Sequence, residues 1–193
     1  YAIIALGYTM VYGIAKMLNF AHGDVIMVAV YVCFFATTKF GFPPLVGVAL
    51  SVVFCTCLGI VIERFAYKPL RAASPLSVLI TAIGVSYLLQ NSAQLLWGSN
   101  VKVFSSIVPA GAIYLFDGQL TITYVTLVII LVNILVITGM MLFTTKTKTG
   151  KAMRACSEDK VAARLMGIDV DRTISKTFAI GSALAAVAGV LLC

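Results

Sequence analysis

Long uncharged apolar runs dominate the pattern of residues along this chain. Residues 40–62, 72–101 and 118–145 contain no Asp, Glu, Lys or Arg. Each run reaches or exceeds the roughly 20 residues that a helix needs to cross the hydrocarbon core of a bilayer. Strands of a membrane barrel alternate apolar and polar residues, whereas residues 127–132 read Leu-Val-Ile-Ile-Leu-Val. The pattern therefore predicts an all-α, polytopic helical integral membrane protein.

Six apolar segments are predicted to be the spans of a single transmembrane domain that covers residues 1–193. They are residues 1–15, 25–38, 40–62, 76–97, 120–143 and 177–193. The chain begins with Tyr1 rather than Met, inside one apolar segment, and it stops inside another. We therefore interpret it as a fragment of a longer chain, truncated at both ends.

The first two apolar segments are short, and the polar stretch 16–24 separates them. One interpretation makes them two spans joined by a tight cytoplasmic turn. The other makes them parts of a broken helix, with residues 19–24 at membrane depth, an arrangement that marks substrate sites in transporters. The sequence alone leaves both interpretations open.

Charge is scarce and unevenly placed. The chain is 61% hydrophobic and 11% charged, against about 25% charged residues in soluble domains. Its net charge is +7, and eleven of the fourteen basic residues lie in segments 63–75 and 146–176, while the loop 99–119 has only Lys102 and Asp117. Basic loops mark the cytoplasmic face of a membrane protein. We therefore predict that both basic segments are cytoplasmic, and membrane topology accounts for the charge without a nucleic-acid partner.

Two groups of polar residues next to apolar sequence are candidates for a translocation pathway, because polar groups at membrane depth usually line cavities. The first group comprises Asn19, His22, Gly23 and Asp24, and the second Ser86, Gln90 and Gln94, which are spaced four apart on one helical face. The alternative for the first group is an ordinary capped turn at the interface. For the second group it is hydrogen bonding between helices.

A short cytoplasmic helix is predicted over residues 158–166. Ser157 is the expected N-cap, Glu158 and Asp159 occupy the first turn, and Gly167 ends the helix in a left-handed conformation. Such an amphipathic helix either rests on the membrane surface or docks into a partner's groove. The residues alone do not distinguish these two roles.

Motifs for chemistry are missing from the sequence. Residues 149–152 read Thr-Gly-Lys-Ala, which lacks the Ser or Thr and the upstream Gly of a phosphate-binding loop. No catalytic arrangement occurs within the apolar segments, and one His with scattered Cys does not match a metal-site spacing. We predict that the chain is not an enzyme, has no catalytic residues, and holds no metal and no cofactor.

Four blocks of sequence, in the same order and spread over nearly the whole chain, resemble the LivH-type permease of bacterial branched-chain amino acid ABC importers. The blocks are Gly-Tyr-Thr-Met-Val-Tyr-Gly at 7–13, Asn-Phe-Ala-His-Gly at 19–23, Glu-Arg-Phe-Ala-Tyr-Lys-Pro-Leu-Arg at 63–71, and the stretch from Gly-Lys-Ala-Met-Arg-Ala at 150–155 to Gly-Ile-Asp at 167–169. The resemblance implies the transmembrane domain of an ATP-driven importer of Leu, Ile, Val or related small solutes, in a bacterial inner membrane.

The same resemblance implies partners and a docking segment. The partners are cytoplasmic ATP-binding subunits, a second permease subunit and an extracytoplasmic solute-binding protein, all working at the lipid bilayer. Residues 162–167 are similar to the Ala-Ala-x-x-x-Gly part of the loop through which importer permeases contact their ATPases, although the preceding Glu is Val161 here. The implied coupling residues are Ser157, Glu158, Asp159, Ala162, Ala163, Arg164, Leu165 and Gly167.

Other functions remain as alternatives. An importer permease for urea or short amides would share the same architecture. A secondary transporter would need carboxylates in its spans to bind a coupling ion, and Asp24 is the one candidate in the sequence. A membrane-anchored scaffold would not require the polar residues 86–94.

Overall fold

Helices make up most of the structure, a computed structural model that describes residues 1–71, 73–100, 102, 111–115 and 120–192. The helices are α1 (Ala2–Ala15), α2 (His22–Thr38), α3 (Pro44–Ile62), α4 (Pro75–Trp97), α5 (Tyr124–Lys146), α6 (Lys148–Glu158), α7 (Lys160–Leu165) and α8 (Val170–Leu192). A π-helical turn, Glu63–Tyr67, and a 3-10 turn, Lys68–Leu70, extend α3. Asp117 of the predicted external loop lies outside the described residues.

The helical membrane fold predicted from the sequence is confirmed. Four helical segments are long and apolar enough to cross a membrane: Pro44–Leu70, Pro75–Trp97, Tyr124–Lys146 and Val170–Leu192. Two shorter apolar helices, Ala2–Ala15 and His22–Thr38, precede them. Pro44 and Pro75 each stand in the first turn of their helix, where proline costs no hydrogen bond.

A β-hairpin that the sequence analysis did not predict precedes α5. Strand β1 (Ala112–Leu115) pairs antiparallel with β2 (Leu120–Thr123), and Ala112 lies opposite Thr123. Helix α5 therefore begins at Tyr124, four residues after the start of the predicted span 120–143. Residues 121–123 are Thr-Ile-Thr, and β-branched residues favour strands.

Helix α8 also begins earlier than the apolar pattern indicated. The predicted span starts at residue 177, whereas the helix starts at Val170. Asp171 lies in its first turn, where a carboxylate stabilises the helix dipole, and Thr173 donates to the backbone carbonyl of Asp169. In the first turn of α8, Thr173 is buried, whereas Asp171 and Arg172 are exposed.

Helix α8 is the centre of the bundle and packs against α1, α2 and α3. Small residues of α8, spaced four apart at Gly181, Ala185 and Gly189, allow the close approach. A Cβ at Gly181 would lie 2.6 Å from Val11 Cγ2, and a Cβ at Gly189 would lie 2.9 Å from the carbonyl oxygen of Ile26. On another face of α8, Ser182 packs directly against Gly59 of α3. A Cβ at Gly59 would overlap the Ser182 side chain.

The two basic segments meet at one end of the bundle, which we call the basic end. Arg71, after the 3-10 turn, forms an ion pair with Asp171 at the start of α8. Helix α6 packs against both α1 and α8 at the same end. Helices α4 and α5 lie at the periphery, and α5 buries none of its residues in this chain.

Candidate functional site

The first turn of α2 buries three of the four polar candidates around it. Asn19 is 5% exposed, His22 is 4% exposed and Asp24 is 7% exposed, whereas Gly23 is exposed. Helix α2 starts without a side-chain cap, because its N-cap residue is Ala21. Asn19, His22 and Asp24 are therefore buried inside the chain rather than exposed in a solvated turn.

His22 reaches from α2 to the middle of α1. Its ring lies 6.0 Å from the Tyr8 ring in an edge-on arrangement, and a Cβ at Gly7 would lie 3.1 Å from its Cε1. The Nε2 atom of His22 is buried and has no hydrogen-bond partner among the described residues. Gly7 is therefore small because the imidazole occupies the space beside it.

The contact between His22 and Gly7 sets the depth at which α2 begins. Gly7 precedes the end of α1 at Ala15 by eight residues, which corresponds to about 12 Å of helix. Residues 16–21 must therefore rise along the bundle before α2 starts, and Lys16 makes the turn with a left-handed φ of 55°. The structure combines the two interpretations of the sequence: α1 and α2 are separate helices, and α2 begins well inside the bundle.

Tyr67 holds the rising segment 16–21 in place. Its hydroxyl donates to Asn19 Oδ1 at 3.1 Å, and its ring packs 5.1 Å from the Phe178 ring. The backbone carbonyl of Leu18 lies 3.4 Å from the same hydroxyl. The extension of α3 and the central helix α8 thus both position the segment that leads into α2.

Asp24 of the first predicted polar group contacts Gln90 of the second. Gln90 Nε2 of α4 donates to Asp24 Oδ1 at 2.9 Å and to Ser86 Oγ at 3.2 Å. Gln94, one turn further along α4, is exposed. Asp24, Ser86 and Gln90 therefore form one site between α2 and α4, which we call the Asp24 site.

Helices α2 and α4 run side by side in the same direction. Tyr31 and Trp97, each seven residues beyond Asp24 and Gln90, stack with ring centroids 4.5 Å apart. Gln90 is fifteen residues after Pro75, so it lies about 22 Å along α4 from the basic end. Gln90 therefore lies inside Pro75–Trp97, a segment that is long and apolar enough to cross a bilayer core of about 30 Å.

The predicted helix over residues 158–166 is shorter than expected, and its cap is a different residue. Helix α6 continues to Glu158, and α7 begins at Lys160. Asp159 is the N-cap, because its Oδ1 accepts from the backbone N–H groups of Val161 and Ala162. Ser157 instead donates to the carbonyl of Arg154. Ser157 and Asp159 are both residue types that cap helices, and they stand two residues apart in the sequence. Ser157 lies in the last turn of α6, so Asp159 caps α7.

Helix α7 exposes most of its apolar surface at the basic end. Val161, Leu165 and Met166 are 70%, 84% and 83% exposed, whereas Ala163 is buried. Gly167 ends the helix with φ 80°, as the sequence predicted. Exposed apolar side chains of this size, beside the exposed Arg164, indicate a contact surface.

Lys160 connects α7 to α1. Its Nζ donates to the backbone carbonyl of Ala15 at 2.7 Å, and this carbonyl is one of those that the end of α1 leaves without a helical partner. Burial lowers the pKa of Lys160, and the positive charges of Arg71 and Lys16 lower it further. This contact joins the surface helix to a helix of the bundle across 145 residues of sequence.

The sequence family agrees with this architecture. The family described as branched-chain amino acid transport system / permease component matches residues 1–193. The chain belongs to this permease family. No solved structure matches the chain.

Curated relatives of this permease chain are similar along its whole length. It is 42% identical over 202 residues to the "High-affinity branched-chain amino acid transport system permease protein BraD" of Pseudomonas aeruginosa. It is 41% identical over 210 residues to the "High-affinity branched-chain amino acid transport system permease protein LivH" of Escherichia coli K12. Both alignments cover 100% of this chain and 66% of the relative. The chain thus spans slightly less than two thirds of their length.

A more distant relative extends the comparison to an archaeon. The chain is 32% identical over 203 residues to the "Probable branched-chain amino acid transport permease protein LivH" of Methanocaldococcus jannaschii. That alignment covers 98% of this chain and 61% of the relative.

A buried ionic cluster at the basic end was missed by sequence reasoning. Glu63 is 1% exposed, forms an ion pair with Arg71, and accepts from Ser175 Oγ at 2.6 Å. Arg71 also pairs with Asp171. Glu63, Asp171 and Ser175 line a polar cavity of about 510 Å³ between the extension of α3 and the start of α8.

One sequence signal pointed towards this cluster. Glu63 directly follows an uncharged apolar run of 23 residues, 40–62. Its carboxylate must therefore lie near the membrane, where it needs a partner of opposite charge. Its ion-pair partner Arg71 is only eight residues further along the chain, whereas its second partner, Ser175, is 112 residues away and is not readable from spacing.

Proposed function

We propose that the complete protein is the membrane-spanning permease subunit of an ATP-driven importer that translocates Leu, Ile, Val or related small amino acids. The identity of 41–42% along the whole chain to relatives named as branched-chain amino acid permeases carries the proposal. The protein itself performs no covalent chemistry. It works in a bacterial inner membrane as a multi-pass protein.

The partners follow from the same assignment. They are cytoplasmic ATP-binding subunits, a second permease subunit and an extracytoplasmic solute-binding protein. The exposed apolar side chains of α7 at the basic end support docking of an ATP-binding subunit there. In this proposal the basic end faces the cytoplasm, because basic loops favour that side.

The coupling surface is formed by the end of α6, by α7 and by its terminating glycine. Its proposed residues are Ser157, Glu158, Asp159, Ala162, Ala163, Arg164, Leu165 and Gly167. The proposed pathway residues are Asn19, His22, Gly23, Asp24, Ser86, Gln90 and Gln94. Movement of α7 on ATP binding passes to the bundle as a rigid-body shift.

Reconstitution tests the function directly. The full-length permease, its partner permease and the ATP-binding subunits are placed in proteoliposomes with the solute-binding protein outside. We expect leucine uptake that requires both ATP and the binding protein, with no uptake of urea or acetamide. Uptake of urea instead of leucine would overturn the amino-acid assignment. Leucine uptake that follows an ion gradient without ATP would overturn the importer assignment.

A further inference from the structure

Asp24 is a buried carboxylate with half of its hydrogen-bonding capacity unused. Its Oδ1 accepts from Gln90 Nε2 at 2.9 Å, whereas Oδ2 is buried and has no partner among the described residues. The side chain is 7% exposed. Within the described part of the chain, the ion pairs involve Glu63, Asp169 and Asp171 but not Asp24.

A carboxylate at hydrocarbon depth needs a positively charged partner. Removing a carboxylate from water costs several kcal/mol unless an opposite charge and further hydrogen bonds compensate. Glu63 shows how this chain satisfies the need, because Arg71 and Ser175 occupy both of its oxygens. Asp24 is buried like Glu63, but its neighbour is the neutral amide of Gln90. Buried ionisable groups of this kind mark solute sites in membrane proteins.

We propose that Oδ2 of Asp24 binds the α-ammonium group of the amino acid during its passage through the permease. This inference rests on the proposed function, and it names the chemical group of the solute that the pathway recognises. An ammonium group has three donors. Gln90 Nε2 donates to Asp24 Oδ1 and to Ser86 Oγ, so Asp24 Oδ2 is the acceptor that this site leaves without a donor.

A metal ion fits the Asp24 site less well than an ammonium group. Among the described residues, no group of three His, Cys, Asp or Glu side chains is close enough to hold a metal ion. One carboxylate with an amide and a hydroxyl is a weak donor set for a divalent cation, which takes six or more oxygens. A primary ammonium needs fewer partners than a divalent cation, because it has three donors.

An amino acid also carries a carboxylate, and the beginning of α2 provides a binding site for this second charged group. Ala21 supplies no side-chain cap to the first backbone N–H groups of α2, and a Cβ at Gly23 would meet no atom within 4 Å. A helix N-terminus carries partial positive charge and binds carboxylates. Asp24 lies in the first turn of this helix, so an amino acid can place its ammonium on Asp24 and its carboxylate at the helix start.

Equilibrium binding to the assembled permease–ATPase complex in nanodiscs, without the solute-binding protein, tests the inference. Radiolabelled leucine is displaced by unlabelled leucine or by 4-methyl-2-oxopentanoate, which replaces the ammonium with a carbonyl. We expect Asp24→Asn to weaken leucine binding at least about tenfold, as loss of a charged partner does. Binding of the oxo acid should change less than about twofold, because it has no ammonium to lose.

Two further variants separate recognition from folding. Asp24→Glu keeps the charge and should bind leucine more tightly than Asp24→Asn. Asp169→Asn makes the same chemical change at the exposed start of α8 and should bind leucine like the unaltered complex. Basal ATP hydrolysis reports whether each variant is assembled.

Each outcome decides the matter. Equal leucine affinity in Asp24→Asn and the unaltered complex would overturn the inference, as would equal losses for leucine and the oxo acid. A complex that imports leucine but shows no saturable leucine binding of its own would also overturn it while leaving the proposed function intact. A complex that does not import leucine at all would remove the proposed function instead.

Discussion

At the scale of single residues, the basic end contains a carboxylate whose two oxygens are both occupied. Glu63 binds Arg71 through Oε1 and Ser175 through Oε2. Arg71 is 15% exposed in its side chain, whereas its second partner Asp171 is 53% exposed. The two ion pairs of Arg71 therefore differ in burial, and they should differ in their contribution to stability.

Glu63→Gln should destabilise the full-length protein more than Asp171→Asn does. Loss of one partner of a buried pair costs about 3–5 kcal/mol, because the remaining charge stays buried. An exposed pair contributes about 0–1 kcal/mol. We expect Glu63→Gln to lower the free energy of unfolding by about 3 kcal/mol. This value is at the low end of the range because Arg71 keeps Asp171 as a partner. The measurement is the free energy of unfolding in mixed micelles, followed by circular dichroism.

The double variant Glu63→Gln with Arg71→Met provides the control for this prediction. Replacing both partners of a buried pair by groups of similar size is often close to neutral. The double variant should therefore be more stable than Glu63→Gln alone. Equal losses for Glu63→Gln and Asp171→Asn would contradict the assignment of Glu63 as the buried member.

At the scale of elements, α7 is a helix of six residues that depends on its ends. Asp159 accepts hydrogen bonds from two backbone N–H groups at the start, and Gly167 takes a positive φ after the end. A helix this short is unstable in water without such caps and tertiary contacts. Ala163 provides the buried contact.

Asp159→Ala should loosen α7, whereas Ser157→Ala should not. Loss of an N-cap costs about 1 kcal/mol, which corresponds to an about fivefold larger equilibrium constant for opening of the helix. Hydrogen exchange of the peptide covering residues 159–166, measured by mass spectrometry on the full-length protein, reports this change. Faster exchange in Ser157→Ala than in Asp159→Ala would assign the cap to Ser157, as the sequence pattern first indicated.

The elements that the sequence predicted well are those whose cause is local. Uncharged runs predict spans because lipid demands internal backbone hydrogen bonds, and Gly167 predicts a helix end because glycine adopts positive φ readily. Asn19, His22 and Asp24 were identified as candidates for the same reason, since polar residues beside apolar runs are visible in the sequence. The boundary between α6 and α7 was not, because Ser157 and Asp159 are both good caps.

Contacts between distant segments could not be predicted from one sequence. Lys160 was absent from the predicted coupling residues, because nothing near it in the sequence indicates that Ala15 receives its hydrogen bond. The joining of Asp24 with Gln90 depends on the packing of α2 against α4, and 66 residues separate the two side chains. Periodicity placed Ser86 and Gln90 on one face of α4 but did not specify what that face contacts.

At the scale of the whole molecule, a line of contacts leads from the exposed surface of α7 to the Asp24 site. Lys160 of α7 binds the last turn of α1 at Ala15. The rising segment 16–21 continues from there, and Tyr67 holds it at Asn19. Helix α2 and Asp24 follow directly. A displacement of α7 by a docked partner therefore has a physical route to the site, and a coupling measurement tests this route.

Lys160→Met should separate ATP hydrolysis from transport. The substitution keeps an apolar stem and removes the ammonium that binds Ala15, a hydrogen bond from a charged group that contributes about 1.5–3 kcal/mol. If the two transport states differ by that contact, leucine uptake by the reconstituted importer should fall about tenfold while ATP hydrolysis continues. Lys151→Met is the matched control, because Lys151 is exposed on α6, and its uptake should be unchanged. Parallel loss of hydrolysis and uptake in Lys160→Met would indicate an assembly defect, and unchanged uptake would show that α7 acts on the bundle through other contacts.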